Sequence, residues 1–398
     1  MGLDVERIEI LLLVAAVVAM LVRRLRLPYT VGLVLAGIAL AFSPLGHQVR
    51  LTQELIFGAF LPPLIFEAAF NISWPELRRD LGVVLTLVTL GVLLAAALTA
   101  AGLHFLVGWG WSAAWLFGAL IAATDPVAVI ATFREVGIQG RLRLLLEAES
   151  LFNDGTAAVA FGVLLALAQG GGMSAGEVAG KFAVTVLGGL LCGAAVGGSV
   201  LLLAGRTDDH LLETTFTTIA AYGAFLLAEH FHLSGILATL TTGLILGNWG
   251  SLGTLTDKGH ETIDSFWEYA AFLANSLIFL LIGMGLTSES FTPGKIPSLL
   301  AAIVLVTVSR ALVVYLCCAL FGRSAWRVPL RYQHVLFWGG LRGAVALALA
   351  LGLPPQTPQR ATILTAAFTV VAFSVIVQGL TIKPLLRRLG ELPPQQRP

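Results

Sequence analysis

Four short stretches of this chain carry residues that could do chemistry. In "ESLFND", Glu149 to Asp154, two carboxylates, a hydroxyl and a carboxamide open a run that is otherwise apolar. On a helix Ser150 and Asp154 share one face, while Glu149 and Asn153 form a second i, i+4 pair turned by about 100°. In "ATDPVAV", Pro126 has no N–H to donate and disfavours helix at the residue before it, so carbonyls around Thr124 and Asp125 lose their helical partners. Asp125 also suits a helix N-cap, with Pro126 at the first helical position. Glu67 follows the Pro62–Pro63 pair in "LPPLIFEAAF", and Arg342 stands among Gly339, Gly340 and Gly343, which permit unwinding. Carboxylate, hydroxyl, carboxamide and freed carbonyl oxygens are ligands for a hard cation, and a carboxylate also takes a proton.

The solvent around these residues decides what they mean. Hydrophobic residues make up 57% of the 398 positions and charged residues 12%, with a mean hydropathy of +0.89. That composition is an all-α polytopic membrane protein, in which helices satisfy their own backbone. A net charge of +1 has no basic excess for nucleic acid. The three cysteines, Cys192, Cys317 and Cys318, make neither a CxxC metal site nor a disulfide framework. The first apolar run lacks a basic leader and a small-residue cleavage site, so it reads as a retained helix.

Apolar runs long enough to cross ~30 Å of hydrocarbon number about 13. They lie near 8–22, 28–45, 52–71, 81–107, 112–133, 143–169, 178–204, 211–231, 233–249, 264–286, 296–321, 332–353 and 360–382. With the N-terminus outside, one set of loops collects Arg23, Arg24, Arg26, Arg78, Arg79, Arg134, Arg141, Arg143, Arg206, Lys258, Arg323, Arg327, Arg331, Lys383, Arg387, Arg388 and Arg397. The opposite set holds Arg7, Arg50, Lys181, Lys295 and Arg360. Basic residues accumulate in cytoplasmic loops, so the C-terminus is expected in the cytoplasm. An odd number of spans divides as six, one and six, which inverts the second half relative to the first, and the interruptions at "ATDPVAV" and "WGGLRGAVA" fall in the fifth member of each half. Paired broken helices at matching positions point to a binding site at the membrane midplane. The expected division is a first repeat over 1–170, a linker helix over 176–206, a second repeat over 210–390 and a tail at 391–398. The linker carries Gly189, Gly193 and Gly197 on one face for close packing.

A carboxylate at bilayer depth costs about 2.5–3.5 kcal/mol on insertion scales and needs a counter-charge, a proton or a bound cation. For Asp154 all three remain open, including an ion pair with Arg310 or Arg342. Arg342 cannot give up its proton and is expected to serve as a fixed counter-charge, most simply for Glu149. Arg310 is a second fixed charge with no assigned partner. Glu213, Glu229 and Glu268 lie near span ends, where interfacial positions are expected.

Together "FEAAFNISWPELRR", "ATDPVAV", "ESLFNDGTAAV" and "FWGGLRGAVALALAL" resemble the electroneutral sodium/proton exchanger family of cation:proton antiporters, in order along nearly the whole chain. The resemblance implies a homodimer in the cell membrane, active in pH homeostasis. Spans 1–3 and 8–10 would be a scaffold, spans 4–6 and 11–13 a moving elevator-type core, and span 7 the link. It implies that Thr124, Asp125, Ser150, Asn153 and Asp154, with Glu67 across the domain interface, surround the cation, with Na+ at Asp154, Ser150, Thr124 and Glu67. It also implies that Glu149 pairs with Arg342 and that no cofactor is needed. Many relatives carry a long regulatory tail, which is not expected here.

Cation and proton would compete for Asp154, and a neutral Asn153 favours one-for-one exchange. Na+ is not separable from K+ or Li+ by residues alone, so a K+/H+ antiporter of the same fold stays open. An intramembrane aspartyl protease using Asp125 and Asp154 would need a GxGD signature, which is absent, and a cation channel is the remaining alternative.

Overall fold

An apolar chain can remain in lipid only if its backbone bonds to itself, and the computed structural model is all-helical wherever it is regular. It describes residues 5–43 apart from 26, 51–250 apart from 126, 171 and 173, 256–288, and 293–391. Arg26, Arg50, Pro126, Arg397 and the rest of the tail from 392 lie outside the described residues. The helices are α1 Val5–Leu25, α2 Tyr29–Ala41, α3 Gln53–Phe70, α4 Trp74–Val107, α5 Trp111–Leu120, α6 Val127–Val136, α7 Arg141–Ala168 and α8 Ala175–Ala204. They continue as α9 His210–His230, α10 Gly235–Trp249, α11 Asp257–Ser288, α12 Ile296–Ala319, α13 Leu330–Gly339, α14 Ala344–Leu351 and α15 Arg360–Arg388. Among the described residues, 8 helices are long and apolar enough to cross a membrane, and α2, α5 and α10 are shorter apolar helices. The expected run at 81–107 extends seven residues further towards the N-terminus, because Trp74 and Pro75 start a helix that Glu76 favours in its first turn.

Small residues set the closest approaches. Gly37 of α2 packs on the Leu280 carbonyl of α11, and Gly283 of α11 packs on Val34 of α2, so neither position has room for a Cβ. Gly189, Gly193 and Gly197 are all buried on α8. The space a Cβ on Gly193 would need is held by the Ala238 carbonyl of α10, and the Thr242 hydroxyl donates to the Gly193 carbonyl at 3.0 Å. This is the small-residue packing expected of that stripe.

Several helices widen locally into π turns, at Ile56–Phe60, Leu87–Gly91, Leu103–Val107 and Ser374–Gln378. Such turns shift backbone carbonyls out of register, and side-chain hydroxyls meet two of them. Tyr222 donates to the Ala59 carbonyl at 3.1 Å and Thr156 to the Val88 carbonyl at 2.7 Å. At one end of the bundle Arg141, in the first turn of α7, grips Asp80 of α4 at 2.7 Å and donates to the carbonyls of Trp326 and Arg327. That arginine ties α4, α7 and the connection before α13 into one unit.

The tight α8–α10 crossing yields a direct test. Gly193→Val is expected to destabilise the protein by about 1–3 kcal/mol through overpacking, read as a lower midpoint of thermal unfolding in detergent, whereas Gly198→Val, where a Cβ meets open space, should leave the midpoint nearly unchanged.

Candidate cation site at the crossing of two broken helices

Helix ends inside an apolar core leave N–H and C=O groups without partners. Here two helices break side by side. Between α5 and α6, and between α13 and α14, the chain runs extended, and the two extended pieces bond to each other: the Asp125 N–H donates to the Leu341 carbonyl at 2.7 Å. Gly343 is required at this contact, because a Cβ would overlap the Asp125 carboxylate. Gly340 is required next to it, since a Cβ would lie 2.7 Å from the Arg310 guanidinium.

Charged side chains then complete the orphaned termini. The Asp125 carboxylate accepts from the Val127 N–H at 2.9 Å and from the Ala344 N–H, so one anion caps the positive ends of both α6 and α14. On the negative ends, Arg342 Nη1 donates to the carbonyls of Ala122 and Ala123 at 2.8 and 3.1 Å, just past α5. Arg310 Nη2 donates to the Leu336 carbonyl of α13 at 2.9 Å. The Arg342 N–H is taken by Ser374 Oγ at 2.8 Å, and that hydroxyl donates to Gln378 Oε1 at 2.7 Å, both in the π turn of α15. The N-cap role read for Asp125 is therefore fulfilled at two helices.

The expected pairing of Glu149 with Arg342 is not what forms. Glu149 is 1% exposed and makes a two-pronged bond with Arg310, Nη1 to Oε1 at 2.7 Å and Nη2 to Oε2 at 2.8 Å. The reason is geometric: Arg342 sits at the break itself, where the nearest unmet demand is the pair of α5 carbonyls, and Arg310 reaches across from α12 to the buried acid. Neither arginine bonds to Asp154.

The other polar residues of α7 hold the break in place. Ser150 Oγ donates to the Thr124 carbonyl and accepts from Thr124 Oγ1 at 3.2 Å. Asn153 Nδ2 bridges Thr124 Oγ1 and Glu149 Oε1, at 3.2 and 3.3 Å, and its Oδ1 is buried with no partner. Asp154, one turn beyond Ser150, has no hydrogen bond or ion pair among the described residues.

Asp154 faces a cavity of about 260 Å³. Glu67, Thr124, Asp125 and Asp154 all line it, together with Arg143 and Glu147 from the first turns of α7 and Gly343 to Ala346 from the start of α14. Ser150, Asn153, Glu149, Arg310 and Arg342 stand behind that wall rather than on it. The carboxylates of Glu67, Asp125 and Asp154, the Thr124 hydroxyl and the positive ends of two half-helices thus converge on one cavity with room for several waters, an arrangement able to bind and release a small cation or a proton.

The opposite wall went unread in the sequence. Tyr29, Thr30, Glu268, Phe272 and Asn275 line the cavity, although Glu268 reads as interfacial by position. The signal was the spacing 268, 271, 272, 275, one stripe of α11 with polar residues at its two ends. Glu213, also expected at an interface, is fully buried and accepts from the N–H and hydroxyl of Thr256 at 3.2 and 3.1 Å. A carboxylate near a helix start can be buried when a residue distant in the chain, here the one before α11, supplies donors.

The buried Glu149–Arg310 pair generates a prediction. Glu149→Ala leaves a desolvated guanidinium and is expected to destabilise the protein by about 3–5 kcal/mol, while the Glu149→Ala/Arg310→Met double variant recovers a large part of that loss; thermal unfolding of the three proteins in detergent checks it.

Residues 10–388 match the family described as sodium/hydrogen exchanger, transmembrane. The chain is 40% identical over 369 residues to the Na(+)/H(+) antiporter ApNhaP of Aphanothece halophytica, covering 92% of this chain and 70% of that protein. It is 32% identical over 399 residues to the Na(+)/H(+) antiporter NhaH of Halobacillus aidingensis, covering 96% and 97%. Its fold superimposes on that of the sodium proton antiporter MjNhaP1 from Methanocaldococcus jannaschii with a TM-score of 0.77 at 22% identity, over 98% of each chain. By sequence along almost its whole length, this chain belongs to the transmembrane sodium/hydrogen exchanger family.

Proposed function

We propose that this protein is a secondary active antiporter that exchanges Na+ for H+ across a membrane, with both ions competing for Asp154. The observation that carries the reading is the Asp154 carboxylate itself: it faces the cavity, beside two broken helices, with no hydrogen bond or ion pair among the described residues. Its relatives in sequence are Na(+)/H(+) antiporters. A carboxylate in an apolar protein demands a counter-charge, a proton or a cation, and here Arg310 is bonded to Glu149 and Arg342 Nη1 to the α5 carbonyls, so neither arginine hydrogen-bonds Asp154.

Exchange follows from charge. Asp154 with one proton or one Na+ is neutral at that position, whereas empty it carries a charge that resists passage through a low-dielectric barrier. Only loaded states cross, so each Na+ moving one way is matched by a proton moving the other. Asn153 keeps the adjacent position neutral, and its amide is spent on Thr124 and Glu149; one charge at Asp154 then favours electroneutral, one-for-one exchange. Ser150 and Asn153 act through Thr124, fixing its hydroxyl and carbonyl beside the ion, while Thr124, Asp154 and Glu67 supply oxygens directly.

The movement we infer is of elevator type. The unit tied by Arg141, Asp80, Glu149 and Arg310 would travel as a body against α2, α3, α10 and α11, with the helix over 176–206 as the link between an inverted first half (1–170) and second half (210–390), thirteen spans in all. The cavity runs from Asp154 along α7 past Glu147 to Arg143, toward the end where basic loops gather, so this conformation is read as open to the cytoplasm, with the N-terminus outside. The protein would act as a homodimer in the cell membrane and serve pH homeostasis.

Two outcomes test this reading in proteoliposomes with a trapped pH dye and a panel of Na+, Li+ and K+. Asp154→Asn should abolish Na+-driven proton movement while the protein stays folded and runs as wild type on gel filtration; persistent exchange would remove Asp154 from its role. In the wild type, the apparent KM for Na+ should rise as pH falls, by up to about tenfold per unit once Asp154 is mostly protonated, with the maximal rate unchanged. A KM independent of pH would contradict competition, and a rate that follows an imposed membrane voltage would contradict electroneutrality.

A further inference from the structure

The cavity has a second polar wall that the scheme at Asp154 leaves idle: the seam between the first turn of α2 and the middle of α11. Tyr29 and Ser276 hydrogen-bond through their hydroxyls at 2.8 Å, and the rings of Tyr29 and Phe272 stack with centroids 5.5 Å apart. This register puts their chain neighbours, Thr30 and Asn275, at the same level of the seam, and both line the cavity. Thr30 is 1% exposed, and its hydroxyl has no hydrogen-bond partner. The Asn275 carboxamide has none among the described residues either.

A buried hydroxyl left unpaired lowers stability, and a valine of the same shape would avoid the loss. The Thr30 hydroxyl on a cavity wall, with the half-buried Asn275 carboxamide lining the same cavity, needs a ligand to account for it. The ligand must accept oxygen donors of the hydroxyl and amide kind, and α11 also offers the cavity a carboxylate, Glu268, two turns before Asn275. That donor chemistry is suited to a partly dehydrated monovalent cation.

The geometry points to a transit site for the transported cation on the α2–α11 wall, built from Thr30 Oγ1 and the Asn275 carboxamide oxygen, in the same cavity as Asp154. A cation entering past Glu268 rests there before it displaces the proton of Asp154. Because α2 and α11 belong to the wall that stays put while α7 moves, the site serves only the conformation in which the cavity is open. It therefore sets the affinity seen from one face of the membrane and not from the other. This inference rests on the exchange reading above, and the experiment separates the two.

Thr30→Val and Asn275→Ala would be reconstituted in vesicles sorted by orientation, and KM for Na+ measured from each face. The expected result is a KM raised about fivefold at the face on which the cavity opens, little change at the other, and a maximal rate within about twofold of wild type. Thr30→Val should unfold at the same temperature as wild type or higher, and Thr30→Ser should bring KM back towards the wild-type value. An unchanged KM at both faces, an equal rise at both faces, or a KM change in Thr30→Val accompanied by a lower unfolding temperature would overturn the transit site. Loss of exchange in the wild type itself, or exchange surviving in Asp154→Asn, would instead overturn the reading of Asp154.

Discussion

The arrangement depends on one constraint: two helices end in the middle of an apolar core, and every backbone group freed there must be met without water. Charge does most of that work. Asp125 takes the N–H groups of two helix starts, Arg342 the carbonyls after one helix end, and Arg310 a carbonyl near the other. Once the two arginines are committed in this way, the acids they do not reach define the site. Glu149 is neutralised by Arg310; Asp154 is not bonded to either arginine, and in the proposed exchange it is the group that takes the transported ion.

The same constraint explains the residues around the break. Gly340 and Gly343 are glycines because a guanidinium and a carboxylate occupy the space of their side chains. Ser374 lies in a π turn and receives the unpaired N–H of Arg342. Ser150 and Asn153 are polar in a membrane helix because Thr124, in the extended segment, needs partners on both its hydroxyl and its carbonyl. A binding site assembled from broken helices is thus a site assembled from capping interactions, with one carboxylate left over.

What could be read from the chain beforehand follows from the same physics. Polar residues in lipid-soluble runs are conspicuous, so Asp154, Thr124, Asp125, Glu67 and the glycines around Arg342 stood out by type alone, and the breaks near 124 and 341 followed from proline and glycine. The choice between Arg310 and Arg342 as partner of Glu149 was not legible, because both are fixed charges in apolar runs and only the crossing of the two extended segments shows which one is consumed by carbonyls. The second cavity wall was hidden for a different reason. Thr30 and Asn275 are ordinary residues on ordinary helices, and what sets them apart is a missing hydrogen bond, which exists only in three dimensions. The burial of Glu213 was not legible because its donors at Thr256, just before α11, lie 43 positions away.

The central claim is that one carboxylate holds either a proton or a cation. Proton release on cation binding measures this without transport: NaCl is added to the purified protein in weakly buffered detergent solution, and the pH change is recorded. The account predicts close to one proton released per Na+ bound where Asp154 is protonated, falling toward zero at high pH, and none from Asp154→Asn at any pH. Binding of Na+ with no proton released at any pH, or equal release from Asp154→Asn, would contradict it.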